Sequence, residues 1–217
     1  MAGCCSVPRG YEKVFGERSA RRDAKRYRRK GLDHTGRQMV DFLRRQGLEG
    51  ATVLEIGGGA GAIEVEVLRA GADRAVNVEL SPYYEEAARG LWREAGVEER
   101  AEFLTANVAV DGAEIEPADA VIMHRVVCCY PDYDALVGAA AECSRRHLVM
   151  SFPRERPLIR LGLGAMNFVA RLLRWEYRSF VHPVAEIVAA AERRGLRPVY
   201  AHDALIWHIA ALERPAD

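Results

Sequence analysis

From residue 52 to residue 212, compact apolar runs alternate with stretches whose apolar residues recur at helical spacing. The runs predict strands at 52–56, 75–80, 101–105, 118–123, 147–152, 198–200 and 206–212. The helical stretches fall between them, at 63–69, 81–95, 134–145, 158–174 and 183–194. Gly71 and Gly195 close two of these helices, and Pro82 stands in the first turn of another. Such alternation predicts an α/β fold with a doubly wound, mostly parallel sheet and helices on both faces. Ligands of these sheets sit beyond the carboxyl ends of the strands, where the strand order reverses.

Ahead of the first strand, the pattern is helical only. Tyr11, Val14 and Phe15 share one face, Ala20, Ala24 and Tyr27 form a thin stripe, and Gly31 ends the helix. Asp33 or His34 opens another helix, in which Met39, Val40, Phe42 and Leu43 repeat up to Gly47. A stripe this thin does not hold a free helix in water, so the arm is expected to pack on the core behind it. The chain reads as one domain over 1–217, with an N-terminal helical arm at 1–46 and a core at 47–217. An insertion at about 154–182 interrupts that core after its fifth strand.

Composition narrows the picture slightly. With 217 residues, 49% hydrophobic and 29% charged, the chain can bury one sizeable core. Lys plus Arg and Asp plus Glu are equal at 31 each, so net charge gives no reason to expect a nucleic-acid partner. Basic residues cluster on the arm instead, from Arg18 to Lys30. The longest apolar stretch, 158–175, is broken by Arg160, Arg171 and Arg174 and falls short of a membrane span, though its arginines suit peripheral contact with anionic lipid. Five cysteines, including the adjacent pairs Cys4-Cys5 and Cys128-Cys129, do not form a secreted disulfide framework. No apolar leader opens the chain, and a cytoplasmic protein is expected.

Glu55-Ile56-Gly57-Gly58-Gly59-Ala60-Gly61 follows the first strand. Glycines there let backbone approach a ligand closely and turn into a helix. Gly57, Gly59 and Ala62 also satisfy the dinucleotide pattern, so a dinucleotide, S-adenosylmethionine and a purely structural turn compete. Glu55 weighs against a pyrophosphate by like-charge repulsion and suits a ligand with a cationic amino group. Glu79, about 20 residues beyond the glycines, is placed to accept ribose hydroxyls. Asn107 offers an amide to an adenine edge. Leu80, Val108 and Tyr27 complete the expected cofactor contacts, with Gly57, Gly58, Gly59 and Gly61 as the loop.

Residues 53–61 resemble the first motif of class I S-adenosylmethionine-dependent methyltransferases. Val78-Glu79-Leu80-Ser81 resembles the second and Thr105-Ala106-Asn107 the third, where the family often carries Asp. The resemblance covers about 52–212 and implies a Rossmann-like sheet of seven strands whose last strand runs antiparallel. Within the class, the layout is similar to magnesium-protoporphyrin methyltransferases, through Arg29-Lys30-Gly31, Tyr130-Pro131 and the long insertion.

Transfer from a sulfonium is an in-line displacement that needs alignment and exclusion of water. A base is required only where the acceptor carries a proton. His124, after the fourth strand, is the candidate base and also a candidate cofactor wall. His34 and His182 are placed to reach the site from flanking helices, and Tyr130 to close over the cofactor. The insertion helix is expected to cover the acceptor pocket. Cys128 and Cys129, with Cys4 and Cys5 on the arm, offer thiolates for a soft metalloid but lack zinc spacing, so no metal is expected. Three functions are open on these residues: methylation of a small molecule, thiolate-assisted methylation of a metalloid, and binding of S-adenosylmethionine without turnover.

Overall fold

Seven strands form a single sheet in the computed structural model, which describes residues 11–175 and 177–215. They are β1 (Thr52–Ile56), β2 (Arg74–Glu79), β3 (Ala101–Thr105), β4 (Ala118–His124), β5 (Ser144–Pro153), β6 (Arg197–Asp203) and β7 (Trp207–Glu213). Their order across the sheet is β3-β2-β1-β4-β5-β7-β6. β1 pairs in parallel with both β2 and β4, so the order reverses beside it. β7 alone runs antiparallel, between β5 and β6. The predicted doubly wound sheet with an antiparallel last strand is therefore present.

Alternate residues of each central strand serve opposite helical layers, as a sheet buried on both faces requires. Val53, Ala120 and Ile122 pack toward α2 (Glu17–Lys30), α3 (His34–Gln46), α4 (Ala62–Arg69) and α5 (Glu85–Ala95). Leu54, Ile56, Val121 and Met123 face α7 (Tyr133–Glu142) and α9 (Val184–Glu192). The remaining helices are the short α1 (Tyr11–Val14) and α6 (Val108–Asp111), with α8 (Pro157–Leu172) in the insertion. At the amino end of the central strands, Asp119 accepts from Thr52 N and Thr52 Oγ1, each at 2.8 Å. These bonds pin β4 against β1 at the end opposite the expected ligand crevice.

Several boundaries differ from the sequence pattern. The helix expected to reach residue 145 ends at Glu142, and β5 starts at Ser144, because Ser144 must pair with Ala118. β6 extends to Asp203, well past the predicted 198–200. It is an edge strand, and most of its side chains stay partly exposed, which leaves a weak alternation to read. α6 was not expected. Its four residues are started by Asn107, whose side chain accepts from Ala109 N.

Trp92 of α5 is fully buried and donates from Nε1 to Gly61 O at 3.0 Å. Gly61 has φ of +75°, and an added Cβ would lie 2.5 Å from Trp92 Nε1. Gly61→Ala should lower unfolding free energy by about 3 kcal/mol, combining left-handed strain with overpacking. Urea unfolding followed by tryptophan fluorescence measures it, and an unchanged midpoint would refute this reading of the loop.

Candidate functional site

The glycine loop leaves β1 beside the reversal point and passes very close to its neighbours. Gly57 has φ of +68°, donates to Val78 O at 2.7 Å, and has no room for a side chain, since a Cβ would meet Val126 Cγ2 at 2.6 Å. At Gly58 the same atom would lie 2.7 Å from both Asn77 Oδ1 and Glu64 Oε1. The backbone thus lies directly on polar side chains rising from β2 and α4.

Three carboxyl groups converge around this turn: Glu55 of β1, Glu64 of α4 and Glu79 of β2, all buried. Glu79 accepts from Gly59 N at 3.1 Å and Ser81 N at 3.0 Å. Burial nevertheless holds its carboxyl above the ordinary value. Burial, then repulsion from Glu64, pushes Glu55 well up. Glu64 is pushed up to about 7, chiefly by burial. Neither oxygen of Glu64 has a hydrogen-bond partner among the described residues, so these buried carboxyls hold polar capacity that the fold leaves unused. Glu55 Oε2 and Asn77 Oδ1 have no partner among the described residues.

Two cavities open here, of about 400 and 100 Å³. They share Tyr11, Gly57, Glu79, Val126 and Cys129, so they form one bent cleft. Glu55, Gly58, Gly59, Tyr27 and His124 line the larger part. Leu80, Asn107, Val108 and Tyr130 line the smaller. Gly61 lines neither and instead packs on Trp92. Tyr27 stands at the wall with its hydroxyl donated to Glu66 at 2.7 Å. Asn107 Oδ1 accepts from Ala109 N at 3.2 Å and Tyr130 OH at 3.3 Å. The arm supplies Tyr11, Phe15, Asp23 and Arg26 to the larger cavity and is held there by Ser81 Oγ, which donates to Phe15 O at 2.6 Å.

His124 is the last residue of β4, and its Nε2 lies 3.6 Å from Asp33 Oδ1. Asp33 caps α3 through Gly36 N and pairs with Arg125 Nη2 at 2.6 Å. Arg125 takes φ of +65° and lays its guanidinium 4.5 Å from the centre of the Trp207 ring. Burial, outweighing the attraction of Asp33, brings His124 down to about 4, so its imidazole is neutral at neutral pH. The sequence pattern does not single out Asp33 and Arg125 as site residues. Asp33 is legible there only as a helix cap, and no local spacing announces a partner brought over by the fold.

Other expectations need correction. His34 is exposed, and His182 bonds Tyr130 O at 3.0 Å, and neither lines the cleft. No described residue of α8 lines it either, so the insertion helix does not cover this pocket. Its side chains are apolar enough to suggest a lid, yet most of them point outward. Cys128 Sγ lies 3.7 Å from Cys129 Sγ, and Tyr177 OH donates to Cys129 Sγ at 3.1 Å. Cys4 and Cys5 lie outside the described residues, and no group of three metal-binding side chains occurs among those described.

No protein-family model matches the sequence, and no curated protein matches it. Solved structures do match. Magnesium protoporphyrin IX methyltransferase from Synechocystis PCC 6803, with bound SAH, superposes at a TM-score of 0.71 and 20% identity, over 95% of this chain and 98% of that one. The fold is that of class I methyltransferases. An O-methyltransferase family 2 protein from Planctomyces limnophilus DSM 3776, in complex with apigenin, gives 0.69 and 19% over 92% of this chain and 62% of that one. Geranyl diphosphate C-methyltransferase from Streptomyces coelicolor A3(2) gives 0.64 and 16% over 82% and 77%.

The lowered imidazole of His124 has a consequence for stability. Its folded value of about 4 lies below the ordinary 6.5, so the unfolded chain takes up the proton first as pH falls. Stability present above pH 6.5 is lost on the way to pH 4, by an amount on the order of 3 kcal/mol. In His124→Gln this part of the acid loss should vanish, as read by urea midpoints across that range. An identical pH profile in the variant would place the loss elsewhere.

Proposed function

We propose that this protein transfers a methyl group from S-adenosylmethionine to a small-molecule acceptor. The observation that carries the reading is the carboxyl-walled cleft at the glycine loop. Glu55 and Glu79 face it, and Glu55 Oε2 lacks a partner among the described residues. Such a donor set disfavours phosphate and fits a ligand with a cationic amino group and sugar hydroxyls. The likeness in fold to methyltransferases supports the same choice.

In this reading Glu55 binds the amino group, Glu79 the ribose, and the smaller cavity, with Leu80, Asn107 and Val108, the adenine. The cofactor supplies an electrophilic methyl on a positive sulfur. The arm residues Tyr11 and Phe15 exclude water on that side, and Tyr27 borders the acceptor space. His124, neutral and 3.6 Å from Asp33, accepts the proton of a hydroxyl or amine acceptor. Cys128, Cys129 and Cys143 form no disulfide among the described residues, which favours a reducing, cytoplasmic setting. A second reading, methylation of a trivalent metalloid, is favoured by the 3.7 Å approach of the Cys128 and Cys129 sulfurs.

A cationic ligand beside Glu55 and Glu64 stabilises their ionised forms, whose carboxyls are raised in the free protein. Binding of S-adenosylmethionine should therefore release protons and tighten as pH rises through about 7. Calorimetry in buffers of different ionisation enthalpy reads the release. Glu55→Gln should weaken binding roughly tenfold or more. Absence of binding at millimolar ligand would overturn the proposal. For catalysis, His124→Gln should lower kcat on hydroxyl acceptors about 100-fold or more, a larger factor than any change in cofactor affinity. If arsenite binds stoichiometrically and Cys129→Ser abolishes that binding, the metalloid reading takes precedence.

A further inference from the structure

The insertion helix lines no part of the cleft, and its composition calls for another explanation. α8 has 16 residues, a rod of about 24 Å. Ile159, Leu163, Asn167 and Ala170 recur along the face turned to the body, where Asn167 exchanges hydrogen bonds with the Ser179 backbone at 2.7 and 2.9 Å. The opposite face is equally apolar. Leu158, Leu161, Phe168 and Leu172 are 82%, 71%, 62% and 67% exposed, and Val169 is exposed beside them. Each would be stabilised by leaving water, so folding alone does not account for them.

Charge on this element has one sign. Residues 156–174 include Arg156, Arg160, Arg171 and Arg174 and no acidic residue. None of these four forms an ion pair with a described residue. At 100° per residue, Arg160 and Arg171 fall together on one flank of the exposed apolar stripe. A two-fold contact with a second copy through this stripe would bring the arginine flanks into one interface without a carboxylate from either helix. No described helix is long and apolar enough to cross a membrane.

We infer that α8 is a docking element for an anionic membrane surface, lying in the plane of the interface. Its leucines and Phe168 enter the acyl boundary, and the arginines meet lipid phosphates. The inference is independent of the acceptor's identity, because α8 lines neither cavity.

Co-sedimentation tests it, with vesicles of phosphatidylglycerol and phosphatidylcholine in equal parts against phosphatidylcholine alone. The protein should pellet with the anionic vesicles, less so as salt rises, and remain in solution with the neutral ones. Leu161→Glu with Phe168→Glu should abolish pelleting. Replacing Arg160, Arg171 and Arg174 together by Gln should lower vesicle affinity roughly 100-fold. All these side chains are exposed, so melting temperature and S-adenosylmethionine affinity should not change. Wild-type protein that stays in solution with anionic vesicles would overturn the inference, as would pelleting of the double-glutamate variant. So would a dimer in gel filtration that this variant converts to monomer, which would assign the face to a second copy.

Discussion

Three carboxyl groups, from β1, α4 and β2, are buried around one turn of backbone, and none of them forms an ion pair with a described residue. Everything else at the site derives from that concentration of acid. At low dielectric the groups cannot all be ionised, so Glu55 and Glu64 retain protons at a pH where exposed carboxyls have lost theirs. The glycine loop enforces the arrangement, since any side chain at Gly58 would push Glu64 and Asn77 aside. The free protein thereby holds an unfavourable polar cluster that a positively charged guest relieves. Stability given up at a binding site is a familiar exchange for affinity.

The same turn divides the cleft. Gly57 and Glu79 stand where its two parts meet, with small apolar walls on one side and titratable groups on the other. The two ends consequently offer different chemistry to one bound molecule: packing and amide contacts in the narrow end, and carboxyls, an imidazole and arginines in the wide end. Asp33 links that wide end to the fold. It caps α3, faces His124 and holds Arg125, so the arm and the tip of β4 share one anion.

Much of this is legible in the sequence for physical reasons. The central strands are buried on both faces, and their dense apolar runs could belong to little else. Glu55, Gly57, Gly58, Gly59 and Glu79 are readable because the strand-to-helix turn keeps them adjacent along the chain or one repeat apart. What escapes reading depends on tertiary placement. Asp33 meets His124 only after α3 folds over β4, and Glu64 has the look of an ordinary helical carboxylate until Gly58 covers it. Gly61 has the look of a ligand contact and proves to be a seat for Trp92. α8 misleads because an apolar helix next to a pocket and an apolar helix facing away from it have the same composition.

The position of β7 bears on how the molecule is made. This strand follows β6 in the chain but inserts between β6 and β5. During synthesis the edge of β5, with Val149 and Met150, is complete before its partner exists. An apolar strand with an open edge is a template for wrong pairing, so this stage is the vulnerable one in the life of the chain. Trp207, the ring beneath Arg125, opens β7. The tip of β4 therefore acquires its final packing only when the last strand slides into place, and maturation of the site coincides with closure of the sheet.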